Sequence, residues 1–476
     1  MREILTTIFL TIYSLSIVGV ILVIVTDNRN PLKTLPWILV LVLAPGAGLA
    51  IYFFFGQNLS KRRIISRRTR KRITTRLEEE RAPGGPEIPP HWQPLARMLN
   101  RTSLAVPLYG SRLEPYTDGE TKMEALLAAI AEAKHHVHIQ YYIFCDDETG
   151  GRLRDALAKK AREGIEIRIL YDDVGCTRVK KSFFEEMRKA GIEVHAFLHV
   201  QFPRFTSKVN YRNHRKIAVI DGRVGFIGGM NIADRYVEGI DRGKGRRERW
   251  RDTHFRLEGS GVRGLQASFL SDWSATTKQK ITGPAYYPPS ERLTANILQT
   301  VPSGPLGKWR TLLQGDSYAA ARARSRIWIE TPYYLPTETL NAALQEAALA
   351  GIDVRLMLPE RSDSRVVDLA GHSYLDDMMR AGVKVAFYTP GFLHSKLLII
   401  DDDLTVIGSA NMDFRSFEHN FEINAFVYDA EFNARMAAIY EEDLSRCRQP
   451  SPDRWFGRPR LRRWAESFMR IFSPLL

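Results

Sequence analysis

Two histidines, His214 and His394, each stand two residues before a lysine, Lys216 and Lys396, and seven before an aspartate, Asp221 and Asp401. Two small residues and an asparagine close both stretches: Gly228, Gly229 and Asn231 in the first, Gly408, Ser409 and Asn411 in the second. The same eighteen-position pattern, repeated 180 residues further on, is very improbable by chance. On an extended strand, His and Lys two apart project to one face. An imidazole is a nucleophile or proton carrier near neutral pH. An ammonium is a point charge suited to phosphate. Two such pairs facing each other would surround one phosphate with two imidazoles and two ammonium groups. For either copy alone, a histidine satisfied within a core is the plain alternative; the matched second copy weighs against it.

The elements that must position these groups follow from their neighbours. Four apolar residues after each lysine suit a strand buried on both faces. Asp221-Gly222 is a hairpin signal, and a second apolar strand follows. Each copy therefore reads as a β-hairpin. Asp221 and Asp401 belong to the repeated motif and so to the candidate catalytic set, although they fit better as residues that fix the hairpin ends. Small residues at the end of the second strand let backbone approach a ligand closely. A further acid lies in a strand-like alternation beyond each hairpin, Asp252 in one and Glu422 in the other. His254 and His419, close by, read as structural or rim residues.

Upstream of the first hairpin, helical patterns at 120–133, 153–163 and 181–190 alternate with strand patterns at 136–144, 165–171 and 192–198. This order predicts an α/β fold with mixed, largely parallel sheets. Residues 327–335, 350–358 and 380–387 echo those strands. The repeat is therefore a domain, and two homologous halves, 92–289 and 290–448, are expected to pack about a pseudo-two-fold axis, each supplying one His-Lys pair.

At 476 residues the chain can bury two or three sizeable cores. Its net charge of +14 asks for an anionic partner: nucleic acid, acidic substrate or membrane surface. Cys145, Cys176 and Cys447 have neither metal-like spacing nor a disulfide framework, and no metal site is expected. Residues 4–25 form an uncharged apolar run of about 33 Å as a helix, enough for a bilayer. A second run, 35–55, is interrupted by Pro45-Gly46, which membrane helices tolerate. Residues 1–56 thus read as a transmembrane hairpin, with a cleaved signal peptide or a soluble helical hairpin as alternatives. Nine cations from Lys61 to Arg76, with no acid among them, follow within the segment 57–91. After a span they mark the cytoplasmic side and attract anionic lipid; a solvated helix face is the bland alternative, and nucleic acid fits poorly beside a membrane hairpin. Residues 82–90 are a Pro/Gly-rich linker. Residues 200–211 interleave basic and aromatic side chains as a lipid-facing rim or a surface loop. Residues 449–476 combine tryptophan and phenylalanine with arginine, which suits an interfacial helix or packing on the catalytic body.

The double His-x-Lys-x4-Asp pattern resembles the phospholipase D superfamily. The flanks Arg212-Asn213-His214-Arg215-Lys216 and Trp250-Arg251-Asp252-Thr253-His254 resemble bacterial cardiolipin synthases, and the likeness extends from the N-terminal apolar runs to the ending Ser473-Pro474-Leu475-Leu476. The resemblance implies an active site between the halves, with Asp252 and Glu422 orienting the two histidines. It implies two-step displacement at phosphorus, with His214 as nucleophile and His394 as acid and base. Lys216, Lys396, Asn231 and Asn411 would hold the non-bridging oxygens. The implied reaction joins two phosphatidylglycerol molecules into cardiolipin and glycerol, without a cofactor, at a bacterial inner membrane spanned more than once, with the catalytic body cytoplasmic. Expected partners are membrane phospholipids and the anionic membrane surface, not nucleic acid. A phospholipase D or other phosphodiesterase using water is the alternative; a silent scaffold would carry a broken motif, and both motifs are intact.

Overall fold

The computed structural model describes residues 1–26, 31–52, 87–103, 105–197, 199, 211–241, 243 and 247–476. The basic run of residues 61–76, residues 82–86 of the linker and residues 200–210 lie outside the described residues. The chain divides into two bodies, residues 1–61 with 200–211, and the remainder.

In the first body, helix Arg2–Thr26 includes a segment, Arg2–Leu22, that is long and apolar enough to cross a membrane. The expected second span is broken. Helix Pro31–Leu43 ends at Ala44, and helix Pro45–Ile51 restarts with Pro45 in its first turn, where a missing N–H costs nothing. The apolar stretch Thr34–Leu43 is shorter than a bilayer crossing, and residues 53–55 are outside the described residues. Ile24, Leu41 and Tyr52 bury one another, with Trp37 edge-to-face against Tyr52 at 5.5 Å, so the helices form a hairpin-like pair.

The second body holds two sheets of matching order. The first contains β1 (Arg112–Tyr116), β2 (His136–Tyr141), β3 (Glu166–Asp172), β4 (Glu193–Phe197), β5 (Ile217–Ile220), β6 (Val224–Gly228) and β7 (His254–Glu258), in the order β1-β7-β6-β5-β2-β3-β4. The second contains β8 (Ile297–Ser303), β9 (Arg326–Glu330), β10 (Asp353–Pro359), β11 (Lys384–Tyr388), β12 (Leu397–Ile400), β13 (Leu404–Gly408) and β14 (Glu422–Tyr428), in the order β8-β14-β13-β12-β9-β10-β11. Short strands Leu108–Tyr109 and Cys447–Arg448 extend its two edges. Both sheets are mixed, as expected, but the parallel part is smaller than the sequence implied. Only β2-β3-β4 and β9-β10-β11 run parallel. The motif hairpins β5-β6 and β12-β13 return through tight turns, which makes every pairing around them antiparallel.

The halves meet face to face. Ile217, Val219, Ile227, Phe255 and Leu257 of the first sheet share a core with Leu397, Ile399, Ile407, Ile423 and Val427 of the second. Each sheet buries its other face under its own helices, which is why the motif strands are apolar on both sides. Residues 92–103 and 105–109, counted with the first half from sequence, pack on the second. Trp92, Leu95 and Leu99 lie in its core, and Leu108–Tyr109 pairs antiparallel with Ile297 and Leu298 of β8.

Candidate active site

Short stretches of chain cross between the halves just before each histidine. Asn213 bridges Phe421 in parallel register; the His214 amide donates to the Phe421 carbonyl at 2.9 Å, and the Phe421 amide donates to the Arg212 carbonyl at 2.8 Å. In the matching place, Trp250–Arg251 pairs in parallel with Phe392–Leu393, and the His394 amide donates to the Arg251 carbonyl at 2.7 Å. This exchange sets each histidine beside the acid of the opposite half. His214 Nδ1 lies 2.9 and 3.1 Å from the two carboxylate oxygens of Glu422. His394 Nδ1 lies 2.6 Å from Asp252 Oδ2.

The two pairs sit around one cavity of about 330 Å³, lined by His214, His394, Asn231, Asn411, Tyr142 and Trp250 among others. Ring packing fixes the imidazoles: Tyr142 lies 4.9 Å from His214, and Trp250 and Tyr236 lie 5.1 and 5.6 Å from His394. Lys216 Nζ donates to the His214 carbonyl at 2.6 Å. Lys396 Nζ donates to the His394 carbonyl and stands 2.9 Å from its Nδ1. Asn231 accepts from the Ile143 amide at 3.1 Å and donates to Tyr236 at 2.6 Å, while Asn411 donates to Asp413 at 3.0 Å.

Burial governs the charge states. It pushes Lys216 down to about 7 and Lys396 to about 8, against the pull of nearby carboxylates. It lowers His214, outweighing Glu422, and together with Lys396 it takes His394 to about 3. The same burial pushes Glu422 and Asp252 up, but their contacts with histidine and lysine prevail and hold both carboxylates below their ordinary range. The resting pairs are thus neutral imidazole with carboxylate. A neutral ring that donates from Nδ1 keeps its Nε2 lone pair free to attack or to take a proton.

Asp221 and Asp401, counted with the candidate catalytic set from sequence, lie apart from this constellation and hold backbone amides instead. They lie at the far ends of the hairpins. Asp221 accepts from the amides of Lys134, His135 and His136 at 2.7–2.8 Å. Asp401 accepts from those of Arg324, Ser325 and Arg326 at 2.8–3.3 Å. Each therefore stitches its hairpin to the start of the neighbouring strand, β2 or β9. His254 is fully buried and does not line the cavity. Sequence reasoning missed the rest of the wall, notably Tyr142, Tyr236, Tyr333, Arg235 and Arg415. Nothing in their spacing marks them. It also missed the buried ion pairs Arg215–Asp272 and Arg251–Asp443 that brace the crossing segments.

The duplicated two-sheet fold matches that of a phosphatidylserine synthase from Haemophilus influenzae, with a TM-score of 0.61 over 80% of this chain and 97% of that one, at 14% identity, a likeness of fold alone. Residues 126–241 and 319–444, which hold the two hairpins, match the family model described as cardiolipin synthase, PLD-like domain, and the chain belongs to that family. Residues 14–57 match a phospholipase D-nuclease N-terminal model. The chain is 40% identical over 463 residues to cardiolipin synthase 2 of Bacillus anthracis, covering 95% of this chain and 89% of that protein. It is 36% identical over 475 residues to the major cardiolipin synthase ClsA of Bacillus subtilis, covering 98% of each.

Proposed function

We propose that this protein is a cardiolipin synthase that transfers a phosphatidyl group from one phosphatidylglycerol to another, releasing glycerol. The observation that carries the reading is the pair of crossed histidine–carboxylate contacts around a single cavity, in a chain that aligns with named cardiolipin synthases over nearly its whole length. His214 Nε2 attacks phosphorus and forms a phosphohistidine, while the departing glycerol oxygen takes a proton from His394. His394 then removes the proton from a hydroxyl of the second phosphatidylglycerol, whose oxygen displaces His214. Lys216, Lys396, Asn231 and Asn411 turn toward the non-bridging oxygens and stabilise the charge that develops there. The substrate phosphate has a second effect: its negative charge offsets the lysines that suppress His394, so the acid gains its proton when the substrate arrives.

His394→Ala is expected to accumulate a phosphatidyl adduct on His214 from a substrate with a good leaving group, and His214→Ala to accumulate none. Peptide mass spectrometry under non-acidic conditions reads both. An adduct on His394 in the His214→Ala protein would exchange the two roles. Purified protein given phosphatidylglycerol in mixed micelles should yield cardiolipin and glycerol; phosphatidic acid as the main product would mean that water is the acceptor.

The reading includes a bacterial inner membrane location with two crossings, residues 4–25 and 35–55, and a cytoplasmic body. The apolar helix Arg2–Thr26 and the cations of residues 61–76 support it. The first half is assigned to residues 92–289 and the second to 290–448, with 92–109 as an arm laid on the second half; the repeated strand order supports this division.

A further inference from the structure

Helix Arg460–Arg470 is inverted relative to an ordinary surface helix. Leu461, Trp464, Phe468, Ile471 and Leu475 recur every three or four residues along it and the turn beyond, and they are 78%, 65%, 45%, 70% and 65% exposed. The inward face holds Met469, partly buried against the core of the second half, and a buried ion-pair cluster: Glu466, 1% exposed, pairs with Arg462 at 3.1 Å and Arg458 at 3.3 Å and faces His372 at 3.8 Å. The exposed stripe is ordered, with Trp464 stacked on Phe468 at 5.5 Å and Phe468 against Phe472 at 5.6 Å. Contiguous apolar surface of this kind marks an interaction site.

Its flanks carry positive charge. Arg460 and Arg454 are exposed and have no acid within ion-pair distance among the described residues. Arg463 and Arg470 are only loosely matched, at 3.7 Å from Asp376 and 3.9 Å from Asp377. The chain then turns at Ser473, which is buried, and brings Leu476 to the wall of the catalytic cavity, whose lining also includes Val367 and Leu335. Val367 belongs to helix Arg365–Arg380, whose Asp376 and Asp377 face the arginines of the terminal helix.

We propose that this face docks on an anionic bilayer surface and sets the apolar wall of the catalytic cavity against the lipid. The apolar stripe enters the boundary between headgroups and acyl chains, and the arginines meet lipid phosphates. Leu476, Val367 and Leu335 then continue the apolar surface from the bilayer into the cavity, so a lipid slides in without exposing its chains to water. Docking itself does not depend on the reaction proposed above; only the identity of the lipid that enters does.

The test uses the full chain in nanodiscs of phosphatidylserine, an anionic lipid other than the proposed substrate, or of neutral phosphatidylcholine. Amide hydrogen exchange across residues 458–476 is expected to slow several-fold in the anionic discs. Equal exchange in the two would overturn the anionic assignment. A Trp464→Ser/Phe468→Ser protein should lose at least tenfold in turnover of lipid in proteoliposomes, yet keep its turnover of short-chain lipid dispersed below its micellar concentration. Equal loss in both assays would make the helix a structural brace, and no loss in either would leave docking without a role; either result sinks the proposal. Should the protein form no cardiolipin under any condition, the exchange measurement still decides docking by itself.

Discussion

Glu422 and Asp252 occupy equivalent places but differ by one methylene, and the residues facing them compensate. Ser409 Oγ donates to Glu422 at 2.5 Å, whereas a Cβ on Gly229, the matching position, would lie 2.1 Å from Asp252 Oδ1. Gly229→Ala should therefore push Asp252 off His394. We expect at least a hundredfold loss in kcat with an unchanged circular dichroism spectrum, and steady-state kinetics with both substitutions check this. Ser409→Ala removes one hydrogen bond to a charged carboxylate, worth about 1.5–3 kcal/mol, roughly a ten- to hundredfold effect. A second expectation follows from the lysines. In the proposed mechanism each must be charged to bind phosphate, and burial lowers them to about 7 and 8. In the free enzyme the charged forms are present below those values and lost above them, so kcat/KM should fall as pH rises through 7–8. Lys216→Arg should move that limb upward, because a guanidinium does not titrate there. A pH profile in which the limb stays in place would show that Lys216 does not set it. The partners of both histidines were legible as residue types. That they are exchanged between halves was not, because the strand crossings at Asn213–Phe421 and Arg251–Leu393 leave no periodic mark in the chain.

At the scale of elements, the motif aspartates act as clamps. Asp401 accepts three amides and the Ser325 hydroxyl, with its backbone at φ 49°, a conformation that aspartate tolerates better than most side chains. Asp401→Ala should cost about 3 kcal/mol, from charged hydrogen bonds lost and amides left unpaired, and chemical denaturation measures it. Helix Thr311–Ala320 offers a pH test. Asp316 on its buried face is 1% exposed, and burial raises it to about 8. The folded chain thus holds a proton that the unfolded chain has lost between about pH 4 and 8. Stability contributed by this group is present below the unfolded value and declines as pH rises, by up to about 1.4 kcal/mol per pH unit. Asp316→Asn should flatten that decline; an unchanged slope in denaturation midpoints between pH 5 and 8 would refute it. The helix–strand alternation was legible because parallel strands and their crossover helices have distinct periods. The antiparallel outer strands β1 and β8 were not, since each reaches its sheet through pairing with a strand distant in sequence, β7 or β14.

At the scale of the whole molecule, the repeat could be read twice over, in the motifs and in the three preceding strands, and both sheets carry it in the same order. The place of residues 92–109 could not, because a short amphipathic helix buries its stripe equally well against either half. The N-terminal runs read as two spans, the second interrupted by Pro45-Gly46; the helix breaks there, where Pro45 cannot donate to the preceding turn. The proposed topology makes a simple prediction. A cysteine placed among residues 61–76 should resist a membrane-impermeant thiol reagent in intact cells and react once the cells are opened. Labelling in intact cells would place that segment outside.

The exchange of carboxylates bears on how such a molecule persists. Two matched halves in one chain suggest a duplication, and duplication ordinarily leaves one copy free to decay while the other carries the work. Here that freedom is absent. On the proposed mechanism, a loss in either half removes a histidine from one pair and the acid from the other, which would hold both copies under the same selection. Neither half holds a complete pair by itself, since each supplies the carboxylate that the other's histidine contacts.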